Sequence, residues 1–141
     1  LAMNTFTMNT SMNPFENTLS SDKLFNKQAE VIQEIADKDD CIIVGRCAGY
    51  ILRDEPKCVR IYISADKDFR TKRIMASDHL DEKEAQKKIH SMDKKRDSYF
   101  GYYAGQDWKA CHTYDLSIST SSLGIDKAVD LICQYIDIKF K

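Results

Sequence analysis

From Leu24 onward, apolar residues fall at Leu24, Phe25, Val31, Ile32, Ile35 and Ala36. This is the three-and-four spacing of a helix with one covered stripe, and the polar Ser20-Ser21-Asp22 ahead of it reads as a start signal. The pattern predicts a helix to about Lys38. Asp39-Asp40 marks a turn, and Cys41-Ile42-Ile43-Val44 follows as an unbroken apolar run rich in β-branched residues, ending at Gly45. Such a run without alternation predicts a strand covered on both faces. A second run, Val59-Arg60-Ile61-Tyr62-Ile63, follows Pro56, and Ala48 to Arg53 leaves room for a short helix between the two. Strand, helix, strand in that order predicts a parallel pair.

Helical spacing returns after Ser64-Ala65-Asp66, through Phe69, Arg73 and Ala76. Asp81 with Glu84 three residues on is a capping signature, and it opens a long helix predicted from Asp81 to about Tyr103. The stripe of that helix runs Ala85, Ile89, Met92, Arg96, Tyr99, Tyr103, so Arg96 occupies a position where the pattern asks for an apolar side chain. Tyr114 to Ser119 alternates as a third strand. Beyond the segment from Thr120 to Gly124, Ile125, Ala128, Val129, Leu131, Ile132 and Ile136 form a closing amphipathic helix.

Residues 1–22 are rich in Asn, Ser, Thr and Met around Pro14 and read as an irregular lead-in. With no repeat and no linker, the 141 residues are expected to form one domain. A hydrophobic share of 43% with 30% charged residues places the chain among ordinary globular proteins. No stretch approaches the roughly 20 apolar residues of a membrane span. The opening Leu1-Ala2-Met3-Asn4-Thr5 has no basic segment leading into an apolar core, so no membrane association and a cytoplasmic location are expected.

The five cysteines, Cys41, Cys47, Cys58, Cys111 and Cys133, are odd in number and widely spaced, and His79, His90 and His112 are scattered. Free buried thiols and no metal cluster are expected. Charge is more informative. Residues 70–96 hold nine Lys/Arg against five Asp/Glu, while the rest of the chain holds 12 against 17. A basic strip on a chain of near-zero net charge points to a small anionic ligand, or to a solvated helix surface, rather than to nucleic acid.

Two places could carry chemistry. Gly45-Arg46 stands at the carboxyl end of the first apolar run, where open α/β sheets bind ligands and where a guanidinium can fork onto a phosphate. A turn with a solvent-facing cation fits the same residues. The other place is the basic strip, where Arg70 and Arg73 lie one turn apart and Asp93-Lys94-Lys95-Arg96-Asp97 sets three cations between two carboxylates. Fixed cations closing over a moving phosphoryl group are a recurrent means of stabilising its charge. Arg96 on its apolar stripe needs an anion, which could be a ligand phosphate, Asp93 three residues back, or another carboxylate of the chain. The aromatic group Tyr99-Phe100-Gly101-Tyr102-Tyr103, with Trp108 nearby, could stack a base or pack at the helix end.

In order along the chain stand Val44-Gly45-Arg46-Cys47-Ala48, Ile61 through Asp66, Phe69-Arg70-x-x-Arg73-Ile74, Asp93-Lys94-Lys95-Arg96, Tyr102-Tyr103 through Gly105-x-x-Trp108, Tyr114-Asp115-Leu116 and Ser122-Leu123-Gly124-Ile125. Together they resemble the cytidylate-kinase-like family over roughly Leu24 to Cys133. The resemblance implies an α/β fold of the P-loop nucleoside monophosphate kinase type, a three-layer parallel sheet with flanking helices. Here that fold would be incomplete at its N-terminal side.

The implied activity is phosphorylation of a nucleoside monophosphate such as CMP or dCMP by ATP with Mg2+. Arg46 would hold the acceptor phosphate. Arg70 and Arg73 would lie on the donor side, with Arg70 nearest the phosphates or adenine. Lys94, Lys95 and Arg96 would belong to a mobile lid spanning residues 81–108, oriented by Asp93 and Asp97. Arg46, Lys95 and Arg96 would be the catalytic set, and residues 1–22 would lie on the monophosphate side, where Asn and Ser could reach the base.

The glycine-rich phosphate loop such enzymes use is missing from the pattern, because Gly45, Gly49, Gly101, Gly105 and Gly124 never cluster before a helix. The chain is therefore expected to begin mid-protein and to be inactive alone, the complete protein supplying the loop. The alternative is a non-catalytic nucleotide-binding or interaction module. Cys47-Ala48 also departs from the acid that follows Gly-Arg in cytidylate kinases, so the resemblance implies kinase membership and leaves the natural base open.

Overall fold

Helix α1 runs Pro14–Lys38, opening well before Leu24, in a computed structural model that describes residues 14–141. This corrects the irregular reading of 1–22 over its latter part; residues 1–13 lie outside the described residues. The physical reason is that Pro14 stands in the first turn, where its missing N–H costs nothing and its fixed φ suits a helix. Polar residues such as Ser20, Ser21 and Lys23 then continue the helix with their side chains in water. The described residues fall into two compact units, the first ending at Ile51 and the second running Leu52–Lys141.

In the first unit α1 packs against α2 (Ala48–Ile51), and Ile32, Cys47 and Ala48 are buried. The predicted strand Cys41–Val44 is not formed. The segment is outside any ladder, with Ile42 95% and Val44 88% exposed. An apolar β-branched run becomes a strand only when another strand takes its N–H and C=O groups. Among the described residues none pairs with this one.

A parallel pair exists, but the second predicted strand has the third as its partner and not the first. In the second unit β1 (Ile61–Ser64) lies beside β2 (Leu116–Ser119), with Ile61 opposite Leu116 and Ser64 opposite Ser119. The crossover between them is made by α3 (Lys67–Asp78) and α4 (Glu82–Ala104), followed by a 3-10 turn at Cys111–Thr113. After β2 come α5 (Thr120–Leu123) and α6 (Ile125–Phe140). The architecture is thus α/β, mostly helical, with a two-stranded parallel sheet.

Local chemistry explains the boundaries. Asp66 caps α3 by accepting from the Phe69 N–H at 2.8 Å. Asp81 and Glu84 form the full reciprocal box at the start of α4, an arrangement worth about 1 kcal/mol. His79 ends α3 in the left-handed conformation at φ 55°, donating its N–H to Met75 O. The three residues from His79 to Asp81 then turn the chain so that α4 packs back on α3. The buried residues of these helices include the small Thr71 and Ala85, with Ile89 beside them. Thr71 satisfies its hydroxyl on Lys67 O at 2.8 Å.

Side chains pin both ends of the sheet. At the amino end Arg60 and Asp115 face each other: the Arg60 backbone N–H donates to Asp115 Oδ2 at 2.7 Å, and the guanidinium adds bonds of 3.1 and 3.2 Å. Lys139 of α6 reaches Asp115 at 3.9 Å and donates to Cys58 O at 3.1 Å. At the carboxyl end Ser64 Oγ donates to Ile118 O, Thr120 Oγ1 to Ser64 O, and the Asp66 N–H to Ser121 Oγ, each at 3.1 Å. These bonds fix the strand ends from which α3 departs.

All five thiols are free, but the expectation that they are buried holds for Cys47 alone. Cys58 is half-buried, and Cys41, Cys111 and Cys133 are exposed. Cys133 sits on a face of α6 that turns outward, which composition could not reveal. Among the described residues no helix is long and apolar enough to cross a membrane.

Candidate functional site

Arg46 lies in the first unit; Arg70, Arg73, Asp93, Lys94, Lys95, Arg96 and Asp97 lie in the second. Gly45, Arg46 and Cys47 adopt left-handed backbone in succession, at φ 76°, 55° and 55°. A non-glycine residue held there costs of order 1 kcal/mol. The turn is closed by the Ala48 N–H donating to Gly45 O at 3.1 Å, and the Arg46 side chain projects into solvent. Cys47 beside it is buried, and burial pushes its thiol up to about 11, which removes it as a nucleophile near neutral pH.

In the second unit the packing of α3 on α4 brings Arg70 to Asp93. Both guanidinium ends are engaged, Nη1 to Oδ2 at 2.8 Å and Nη2 to Oδ1 at 2.6 Å. Arg96 adds a bond of 3.2 Å to the same Oδ1. One carboxylate therefore holds two arginines, and the side chain of Asp93 is only 19% exposed. Hydrogen bonding from Arg70 keeps the Asp93 carboxyl below its usual range, and the same bond raises Arg70. The anion that Arg96 meets on its apolar stripe is thus Asp93, one of the candidates the sequence offered.

Asp97 pairs with Lys109, whose Nζ lies 3.2 Å from Oδ2. The face of Trp108 receives both outer cations, with Arg96 Cζ 5.9 Å and Lys109 Nζ 5.6 Å from its centroid. Tyr62 of β1 meets Trp108 edge-on at 5.6 Å, and Tyr114 OH donates to Trp108 O at 2.6 Å. Burial raises the Tyr62 hydroxyl above its usual value. Tyr103 meets both Tyr99 and Tyr102 with ring centroids 4.8 Å apart, so these aromatics pack together at the end of α4.

Arg73, Lys94 and Lys95 are exposed and enter neither the Asp93 nor the Asp97 pairing. Among the described residues no ion pair neutralises these three charges on the same two helices. Lys109 and Tyr62 were not singled out by sequence. Lys109 had one legible sign, its place directly after Trp108, whereas Tyr62 had none, because only the sheet carries it under the indole. Among the described residues no three His, Cys, Asp or Glu side chains converge as a metal site, and Asp93 and Asp97 already hold cations. The cluster can therefore bind anions by exchange of its own ion pairs, and it offers no ready-made cage for Mg2+.

Comparison with known proteins gives a consistent picture. The model of the family described as "Cytidylate kinase-like family" matches residues 1–122. A protein named cytidylate kinase from Sulfolobus acidocaldarius is 31% identical over 110 residues, covering 78% of this chain and 60% of the relative. One of the same name from Methanoculleus marisnigri is 27% identical over 111 residues, covering 79% and 59%. The chain thus spans about three fifths of the length of these relatives. Among solved structures, an uncharacterized protein from Eubacterium ventriosum superposes with a TM-score of 0.78 at 38% identity, over 80% of this chain and 64% of that one.

Proposed function

Because the chain belongs to the cytidylate kinase-like family, we propose that it is the acceptor-and-lid part of a kinase that transfers phosphate from ATP to a nucleoside monophosphate of the CMP or dCMP type. In the complete protein β1 and β2 belong to a larger three-layer parallel sheet, all 141 residues join one domain, and a glycine-rich loop supplied elsewhere holds the donor phosphates. Mg2+ arrives with the nucleotide, held by its phosphates and water as this ion ordinarily is in phosphoryl transfer.

Arg46 grips the acceptor phosphate from its strained turn. Backbone strain at a side chain that makes no local bond is the kind of outlier that accompanies ligand sites. Arg70 and Arg73 on α3 face the donor, and Lys94, Lys95 and Arg96 on α4 form the closing lid, oriented by Asp93 and Asp97. As charge spreads over the transferring group, these cations stabilise it without any proton transfer of their own.

The observation that carries this reading is the convergence of Arg70 and Arg96 on one carboxylate, with Lys109 on the next acidic residue along the same helix face. Guanidinium groups held this way are already oriented, so phosphate meets a partly ordered set of donors. The test is a coupled assay of ADP release by the complete protein with CMP, dCMP, UMP and AMP as acceptors. Turnover is expected with a pyrimidine monophosphate and none from residues 1–141 alone. ATP-dependent phosphorylation of CMP by these 141 residues would contradict the division of labour.

A further inference from the structure

The two arginines on Asp93 are held unequally. Arg70 forks onto both oxygens, whereas Arg96 makes one longer bond to an oxygen that Arg70 already holds at 2.6 Å. Half of the Arg96 side chain is exposed, at 50%, and a helix-surface pair three residues apart is weak at that exposure. The rest of what holds Arg96 is the face of Trp108. Lys109 is held in the same two ways, by one carboxylate oxygen of Asp97 and by the same ring.

The indole itself is fixed. Tyr62 packs edge-on against it, its backbone carbonyl accepts from Tyr114, and its Nε1 is buried without a hydrogen-bond partner among the described residues. A rigid aromatic platform therefore carries two loosely tied, solvent-reachable cations. Cation–π contact and a single carboxylate bond are each weaker than a guanidinium fork on phosphate.

Resting on the reading of the preceding subsection, we propose that Trp108 is a positioning residue that parks Arg96 and Lys109, and that an incoming oligophosphate draws both off the ring. Arg70 stays clamped to Asp93, and Lys109 is a further oligophosphate-binding cation. No covalent step is involved. The exchange replaces two parked contacts with charge-assisted hydrogen bonds to phosphate oxygens.

Trp108 is the one tryptophan of the sequence, so its emission reports the exchange directly. The full chain is titrated with inorganic tripolyphosphate at constant ionic strength, with sodium chloride as the control. A saturable change in emission is expected. Arg96→Gln and Lys109→Gln, both at exposed positions, are each expected to weaken the apparent affinity by about tenfold, the scale of one lost charge-assisted bond. Trp108→Leu, followed by calorimetry, is expected to bind about threefold tighter, because the cations no longer leave an aromatic face. A merely structural tryptophan would weaken binding when removed.

Should Trp108→Leu fail to fold by circular dichroism, the two glutamine variants decide. Emission that does not respond to tripolyphosphate, or glutamine variants with the wild-type midpoint, would overturn the proposal. A silent tryptophan in a protein whose complete form still phosphorylates CMP removes the parking device alone. An anion response with no turnover in the complete protein leaves the device and removes the kinase reading.

Discussion

Arg70 on α3 and Asp93 on α4, 23 residues apart in sequence, are joined by two parallel hydrogen bonds of 2.8 and 2.6 Å. The pair ties the two crossover helices together at the point where the cationic groups gather. With Asp93 removed, Arg70 is left partly desolvated beside Arg96 without its anion. Asp93→Ala is expected to lower stability by about 1–3 kcal/mol, read as a shift in the urea midpoint. Arg70→Lys is expected to lose most of the same contribution, since an ammonium cannot fork.

The pH dependence of stability has a defined sign. The carboxyls of Asp93 and Asp115 are held low, chiefly by hydrogen bonds from Arg70 and Arg60 respectively. A folded-state pKa below the unfolded value of about 3.9 means stability that is fully present above that value. It is lost as pH falls through the depressed folded values. Thermal midpoints recorded from pH 7 down to pH 2 should fall below about pH 4, and Asp93→Asn should flatten that fall while lowering the plateau above it.

Thiol reactivity should follow burial. Cys41, Cys111 and Cys133 are exposed, whereas Cys47 is buried with its thiol pushed up to about 11, and burial also raises Cys58. Iodoacetamide at neutral pH under native conditions should label the three exposed residues first and Cys47 last, as read by peptide mass spectrometry. Early labelling of Cys47 would place that thiol outside the packed interior.

Gly45 tests the strained turn. A Cβ added there would meet nothing within 4 Å, yet φ is +76°, so Gly45→Ala should cost about 1 kcal/mol from backbone alone. Arg46→Gly should cost no stability, because glycine accepts the same conformation. Chemical denaturation of the two variants separates a backbone cost from a packing cost.

What the sequence made legible divides along a physical line. The cap of α4 was readable because Asp81 and Glu84 are three residues apart and satisfy each other locally. The pairing of Arg96 with Asp93 was foreseeable as one alternative among several for the same reason. The grip of Arg70 on Asp93 was not, since it exists only after α3 packs on α4. Ile42 and Val44 show the converse: strand propensity was present, but a strand is a property of two segments, and no described segment pairs with that one. The early start of α1 was hidden because a helix end rich in Asn, Ser and Thr looks, by composition, like a loop.

The central claim is that Arg46 binds the acceptor phosphate of a nucleotide kinase. Initial-rate kinetics of the complete protein and its Arg46→Ala variant, varying CMP and ATP in turn, test it most directly. CDP formation by the wild type is expected, with the KM for CMP raised about tenfold or more in the variant and the KM for ATP nearly unchanged. Absence of CDP, or equal losses for both nucleotides, would contradict it.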